Sequence, residues 1–186
     1  MLSVPPAVTG HPCPACGKPA SLRHDLHHLL TRIAVGLTNR RIAAATGRTE
    51  SEVIRWTSTL YQELPARSRI QAVDVAFRAG LLPLSADARQ PEQGFAPTTL
   101  LVATQRAHGL RLEEIALRNG LTLGTVKTHT DRLHKQLGVG NGARAVYVLH
   151  SLNALPRPHP CPCTTTGHPD HGPGPSRPTP DSVETL

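Results

Sequence analysis

Apolar residues recur at helical spacing in two stretches of the chain, residues 20–80 and 95–155. In the second stretch, Val126, Leu133 and Leu137 fall on one face of a helix with 3.6 residues per turn. The opposite face of that helix is polar. Patterns of this kind are typical of short amphipathic helices that bury one stripe against their neighbours. The sequence therefore predicts an all-α fold built from small helical modules.

Residues that begin and end helices divide the second stretch into four helices. Pro97 suits the first turn of a helix, and Gly120 permits the positive φ that a sharp corner between two helices requires. Thr122 and Asn141 are natural N-caps, and Gly138 ends the helix before it. The helices predicted in this way begin at Pro97 and end near Gly109, and then span Arg111 to Arg118, Thr122 to about Leu137, and Gly142 to Leu152.

The first stretch repeats the second at a constant offset of 73 residues, which is the shift from Gly36 to Gly109. No gap is needed between the two stretches. Matching glycines and apolar residues at one offset indicate two copies of one structural unit. The matched pairs are Gly36 and Gly109, Ile42 and Ile115, Ala43 and Ala116, Gly47 and Gly120, Val53 and Val126, Leu60 and Leu133, Leu64 and Leu137, and Ala72-Val73 and Ala145-Val146.

The repeat and the composition divide the chain into five parts. An arm containing two cysteines, residues 1–19, precedes module one, residues 20–80. A linker of residues 81–94 leads to module two, residues 95–155. In the tail, residues 156–186, nine of 31 residues are proline, a composition that predicts a disordered segment. Each module is near the lower size limit at which a core supports itself.

Positive charge is concentrated in the two modules. The formal net charge of the chain is +7. Module one has nine arginines against five acidic residues, and module two has seven Lys or Arg against three acidic residues through residue 154. Each module is therefore +4, and the rest of the chain sums to −1. Neutralisation of DNA phosphates requires such a distribution. A solvated charged surface is the alternative, but it does not predict this segregation.

The third predicted helix of module two, Thr122 to Leu137, has the character of a DNA-reading helix. In a helix-turn-helix unit the second helix lies in the major groove, and this helix takes that place after the Asn119-Gly120 turn. Lysine and arginine can reach guanine edges or phosphates, and threonine can contact a base. An ordinary amphipathic helix with a solvated basic face is the alternative. The polar face consists of Gly124, Lys127, Thr128, Asp131, Arg132 and Lys135.

Module two resembles the LuxR-type (GerE) helix-turn-helix of bacterial transcription regulators over roughly a third of the chain. The resemblance implies four helices, with the third in the major groove and the fourth often used for dimerisation. It also implies that Lys127 and His129 contact DNA. Thr99 and Thr130 depart from the family, because glutamate and a core leucine are usual at these positions. The matching segments are Glu114-Ile115-Ala116, Thr125-Val126-Lys127-Thr128-His129, Lys135-Gln136-Leu137-Gly138-Val139 and Arg144-Ala145-Val146.

Module one departs further from this family, because Ile54 and Trp56 replace the lysine and the histidine. Two interpretations remain open. Module one is either a second reader that places Ile54 against a thymine methyl group, or a degenerate copy that packs against module two or a partner protein. Arginines remain on or near its exposed face. The residues predicted to contact DNA are Thr125, Lys127, Thr128, His129, Arg132 and Lys135 in module two, and Arg40, Arg48 and Arg55 in module one.

The last helix of module two has more apolar surface than one small core needs. Val148 and Leu152 lie on one side of it, and Ala145 and Leu149 lie on another. This surplus predicts an interface at that helix. Its partner is expected to be either module one or a second copy of the chain, which would form a homodimer.

All four cysteines lie outside the modules. Cys13 and Cys16 in Cys-Pro-Ala-Cys-Gly resemble one knuckle of a zinc ribbon. Cys161 and Cys163 are the candidates for the other two ligands, although Cys-x-Cys is a poorer knuckle. Zinc is thus the one candidate cofactor. The alternatives are a half-site shared across a dimer and cysteines without a ligand in the two ends of the chain.

The sequence predicts a transcription regulator that binds double-stranded DNA, and neither an enzyme nor a membrane protein. No nucleophile with a nearby base stands out, and the Cys and His clusters lie in Pro-rich ends that do not shape a pocket. The N-terminus lacks the features of a signal peptide, and no apolar run approaches the roughly 20 residues of a transmembrane helix. A cytoplasmic location is therefore expected. The alternative function is a protein-interaction adaptor, or a regulator stapled by zinc, whose modules bind a partner protein.

Overall fold

The structure is a computed structural model that describes residues 8–12 and 19–156. Helices dominate this part of the chain, so the predicted all-α class is confirmed. The helices of the first module are α1 (His24–Ala34), α2 (Asn39–Thr46), α3 (Glu50–Glu63) and α4 (Arg69–Arg78). Those of the second are α5 (Pro97–Ala107), α6 (Leu112–Arg118), α7 (Leu123–Leu137) and α8 (Gly142–Ser151).

The 73-residue repeat extends to the helix boundaries. Each helix of module two begins 73 residues after its counterpart in module one, and two pairs, α1 with α5 and α4 with α8, also end at equivalent residues. The helices therefore begin at equivalent positions in both copies, although the capping residues differ, as with Thr38 before α2 and Arg111 before α6. The two modules are two versions of one arrangement of four helices.

Side-chain caps explain where the helices begin. Thr122 accepts a hydrogen bond from the Thr125 amide at 3.1 Å, and Asn141 accepts one from the Arg144 amide at 3.0 Å. Both predicted N-caps are confirmed, as is the end of α7 at Gly138, which has a φ of 63°. In module one, Thr49 and Glu52 form a reciprocal capping box at the start of α3.

A short antiparallel hairpin precedes α1, and the sequence did not predict it. Strand β1 (Val8–Pro12) pairs with β2 (Pro19–Leu22), with Val8 opposite Leu22 and Pro12 opposite Pro19. Proline is tolerated at strand ends, where its missing N–H interrupts few ladder hydrogen bonds. Leu22 is almost completely buried against the core and anchors the hairpin to module one.

The main hydrophobic core is shared by the two modules. It contains Leu26, Leu30 and Ile33 of α1 together with Ala145 and Leu149 of α8. A smaller second cluster lies within module two and contains Val102, Ile115, Ala116 and Val126. Because the main core crosses the boundary between the repeats, each module completes its hydrophobic burial with help from the other.

Candidate functional site

The two modules pack against each other through their equivalent helices α4 and α8. Flanking contacts are reciprocal. Gly36 lies against the Arg144 side chain, and its counterpart Gly109 lies against Gln71, the counterpart of Arg144. When residue i contacts residue j and the equivalents of both residues also meet, the two units are related by an approximate twofold axis. The modules therefore form an intramolecular pair.

The loop after the first helix of each module meets the other module. A Cβ atom at Gly109 would lie 2.6 Å from Gln71 Oε1, and one at Gly36 would lie 3.2 Å from Arg144 Cβ. Both glycines have φ near +90°, in the region that favours glycine. Asn141 donates a hydrogen bond to the Gly36 carbonyl at 2.8 Å. The glycine pair that revealed the repeat thus lies at the contact between modules.

At the centre of this contact the two rings of Phe77 and His150 stack, with centroids 4.8 Å apart and an interplanar angle of 12°. These two residues occupy equivalent positions, so the axis passes close to the stack. His150 Nε2 donates a hydrogen bond to Asp74 Oδ1 at 2.8 Å, and both side chains are buried. The predicted interface at the last helix is therefore between the two modules.

Helix α7 turns its predicted reading face to solvent. Its inner face is anchored by Val126 and Leu133, which are buried. The outer face has lysine, arginine and threonine side chains, and Asp131 is its one acidic group. The exposed residues of this face are Gly124, Lys127, Thr128, Asp131, Arg132 and Lys135. This set is the one predicted from the helical period.

Two of the six residues of module two that were predicted to contact DNA do not lie on the exposed face of α7. Thr125 is half-buried, and its hydroxyl lies 2.9 Å from that of Thr122 at the helix N-terminus. His129 is also half-buried, and its Nδ1 lies 3.0 Å from Thr99 Oγ1 on α5. The His129 ring therefore points toward Thr99 of α5.

The helix before α7 is held in place by polar and apolar contacts. Gln105 and Asn119 exchange two side-chain hydrogen bonds, at 3.1 and 2.8 Å, which join the end of α6 to α5. Ile115 of α6 is fully buried beside Val126 in the smaller cluster. Sequence reasoning missed the Gln105–Asn119 pair, because the two residues lie 14 positions apart on different helices. The end of α6 is thus joined to α5 by hydrogen bonds and to α7 by apolar packing.

Module one presents a different outer face on α3. Arg40 and Arg55 are exposed, and Ile54 is 53% exposed. The Arg48 guanidinium lies 4.6 Å from the centroid of Trp56. Trp56 Nε1 in turn donates a hydrogen bond to Asp25 of α1 at 3.2 Å. Trp56, which occupies the position of His129 in module two, thus provides a ring on which an arginine stacks near the start of α3.

A cavity of about 70 Å³ lies behind α7 in module two. Its apolar wall includes Val102 and Ala103, where module one has the larger Leu29 and Leu30. Both modules have threonine at the position of Thr130, but the lining residues His129 and His134 of α7 correspond to the larger Trp56 and Tyr61 of module one. Burial at the edge of this cavity lowers the pKa of His134. The cavity is small beside the roughly 300–1,000 Å³ of ordinary ligand pockets.

Replacing Ala103 by leucine, the residue of module one, should fill this cavity. We expect Ala103→Leu to raise the free energy of unfolding by about 0.5–2 kcal/mol. Ala107→Leu is the control, because Ala107 is buried but does not line the cavity. Overpacking there should cost about 1–3 kcal/mol. Urea unfolding of both variants tests the comparison, and a loss of stability in Ala103→Leu would contradict it.

The metal and membrane predictions have different outcomes. Cys13, Cys16, Cys161 and Cys163 lie outside the described residues, so the predicted zinc site stays a prediction. Within residues 8–12 and 19–156, no group of three or more His, Cys, Asp or Glu residues is placed to hold a metal ion. In that same part of the chain, none of the helices has the length and apolar character needed to span a bilayer.

Comparisons of the chain with known protein families, curated proteins and solved structures gave no match.

Proposed function

We propose that this protein is a transcription regulator that binds double-stranded DNA in a sequence-specific manner and reads the major groove through α7. The observation that carries the proposal is the outer face of α7, where Lys127, Arg132 and Lys135 are exposed on a helix anchored from behind. Exposed cations on a rigidly held helix suit both phosphate contacts and hydrogen bonds to guanine. The resemblance of module two to the LuxR-type family supports the same function.

The arrangement of the two modules supports binding to two half-sites. Readers related by a twofold axis meet inverted half-sites on a duplex. Because α4 and α8 already pair within one chain, a single polypeptide can present both α3 and α7. The half-sites are expected to differ, since Ile54 and Arg55 lie on the outer face of α3 where α7 has Lys127 and Thr128.

Features of module one favour the interpretation that it also reads DNA over the interpretation that it only packs against module two. Arg48 is stacked on Trp56 near the N-terminus of α3, an arrangement that reduces the entropy the arginine would lose on contacting a phosphate. Arg40 and Arg55 add exposed positive charge. Ile54 can contact a thymine methyl group, which is the apolar feature of the major groove.

The test is salt-dependent binding of the full-length protein to fluorescently labelled duplex DNA of random sequence. If lysines and arginines neutralise phosphates, the logarithm of the association constant falls linearly with the logarithm of salt concentration, by about 0.9 per phosphate contact. We expect a slope that corresponds to several contacts. An absence of salt-sensitive duplex binding would contradict the proposal and favour a protein-interaction adaptor.

A further inference from the structure

The interface between the modules is symmetric in its backbone but not in its side chains. Phe77 and His150 are equivalent residues and stack on each other. The two flanking positions differ, because Asp74 occupies one and Tyr147 occupies the other. Asp74 faces His150 at 2.8 Å, and Tyr147 meets Phe77 edge-on with centroids 6.1 Å apart. One half of the contact is therefore polar and the other is aromatic.

The polar half is deeply buried. Asp74 is 2% exposed and His150 is 1% exposed. Arg78 of the same helix also contacts the Asp74 carboxylate, and the donor from the opposite module is His150 Nε2. Without His150, the buried Asp74 carboxylate would keep Arg78 but lose one of the hydrogen bonds that offset its desolvation. The fit of α4 to α8 therefore depends on the histidine at position 150 of α8.

Pairing of like modules would lose this match. If α4 met the α4 of a second chain in the same geometry, each Asp74 would face Phe77, which has no N–H to donate. Two buried carboxylates would lose their cross-module donor in one interface. If α8 met a second α8, each His150 would face Tyr147 and would lose its carboxylate partner. Such mismatches are a recognised way to select one partner against others.

We propose that Asp74 and His150 form a selectivity pair that makes the α4 surface accept the α8 surface and reject a second copy of itself. The occupant of the α4 surface is thus module two of the same chain. The linker favours the same chain over a second one, because the Ser85 amide donates to Ser151 Oγ at 2.8 Å and Asp87 lies 3.3 Å from Arg144. The protein is consequently a self-paired monomer.

The first test is the mass of the full-length wild-type protein in solution, measured by analytical ultracentrifugation over a wide range of concentrations. A monomer at every concentration is expected, because the α4 and α8 surfaces already cover each other. A dimer at moderate concentration would overturn the proposal, because the protein would then not be a self-paired monomer. This measurement needs no variant and does not depend on DNA binding.

The second test exchanges the pair between the modules. Asp74→Tyr with Phe77→His gives α4 the interface residues of α8, and Tyr147→Asp with His150→Phe gives α8 those of α4. After either half-exchange, both helices have the same interface residues. In the chain with all four substitutions the two helices differ again, with the aspartate now on α8 and the histidine on α4. We expect each half-exchange to lower the folded-to-unfolded ratio at least tenfold, and the complete exchange to recover roughly tenfold or more of that loss.

Urea unfolding of the four chains measures this recovery. If the losses of the two half-exchanges simply add in the complete exchange, the pair does not select its partner and the proposal is overturned. If the complete exchange does not fold, His150→Phe and Asp74→Leu are combined in a double-mutant cycle. Coupling between these two substitutions would support the pair, and additivity would overturn it.

Discussion

Leu149→Ala should lower the free energy of unfolding of the whole chain by about 2–5 kcal/mol. Leu149 is fully buried in α8, within the core that also contains Leu30 and Ile33 of module one. Truncation removes apolar contacts and leaves a cavity that a packed core fills only partly. Because this core is shared, we expect both modules to lose stability together and to unfold in one transition.

Leu117→Ala is the matched control for that prediction. Leu117 lies on α6 and is 87% exposed, so the same chemical change should alter stability by no more than about 0.5 kcal/mol. Urea unfolding followed by circular dichroism and by Trp56 fluorescence reports the whole chain and module one separately. Two separate transitions in Leu149→Ala, with module one unchanged, would contradict a shared core.

Lys127→Ala should weaken binding to duplex DNA without affecting the fold. Lys127 is exposed one residue after buried Val126, so its ammonium group points away from the core. Loss of a phosphate contact should weaken binding on all sequences and reduce the salt slope by about one, whereas loss of a base contact costs about 1–3 kcal/mol at one position. Fluorescence anisotropy at two salt concentrations distinguishes the two roles.

Two further variants complete this experiment. Arg89→Ala removes one positive charge from an exposed position in the linker and should leave both affinity and slope nearly unchanged. Ile54→Ala removes the counterpart of Lys127 in module one and should reduce affinity with little change in slope if α3 contacts a thymine methyl. Equal affinity of Lys127→Ala and the wild type would mean that α7 is not the reading helix.

The sequence predicted the helices well because their signals are local. Thr122, Asn141 and Gly138 act on the backbone of their own turn, so their effects can be inferred without knowledge of the tertiary structure. The helical period likewise separated buried Val126 from exposed Lys127. Because the offset of 73 residues is constant, the helices predicted for module two also predicted the helices of module one.

Features that depend on distant contacts were predicted less well. The orientation of His129 depends on Thr99, which lies 30 residues away on α5. The paired strands β1 and β2 both contain proline, a composition that favoured an irregular arm. The surplus apolar surface of α8 indicated an interface, but only the structure identified α4 as its partner. The Asp74–His150 pair joins residues 76 positions apart, and no local pattern marks it.

Sequence-specific reading of DNA is tested most directly by selecting bound sequences from a pool of random duplexes with the full-length protein, and with Lys127→Ala in parallel. We predict enrichment of two unlike half-sites in inverted orientation at fixed spacing, with the half-site read by α7 lost or relaxed in Lys127→Ala. A pool that stays unenriched with the wild-type protein would contradict sequence-specific reading of DNA by this chain.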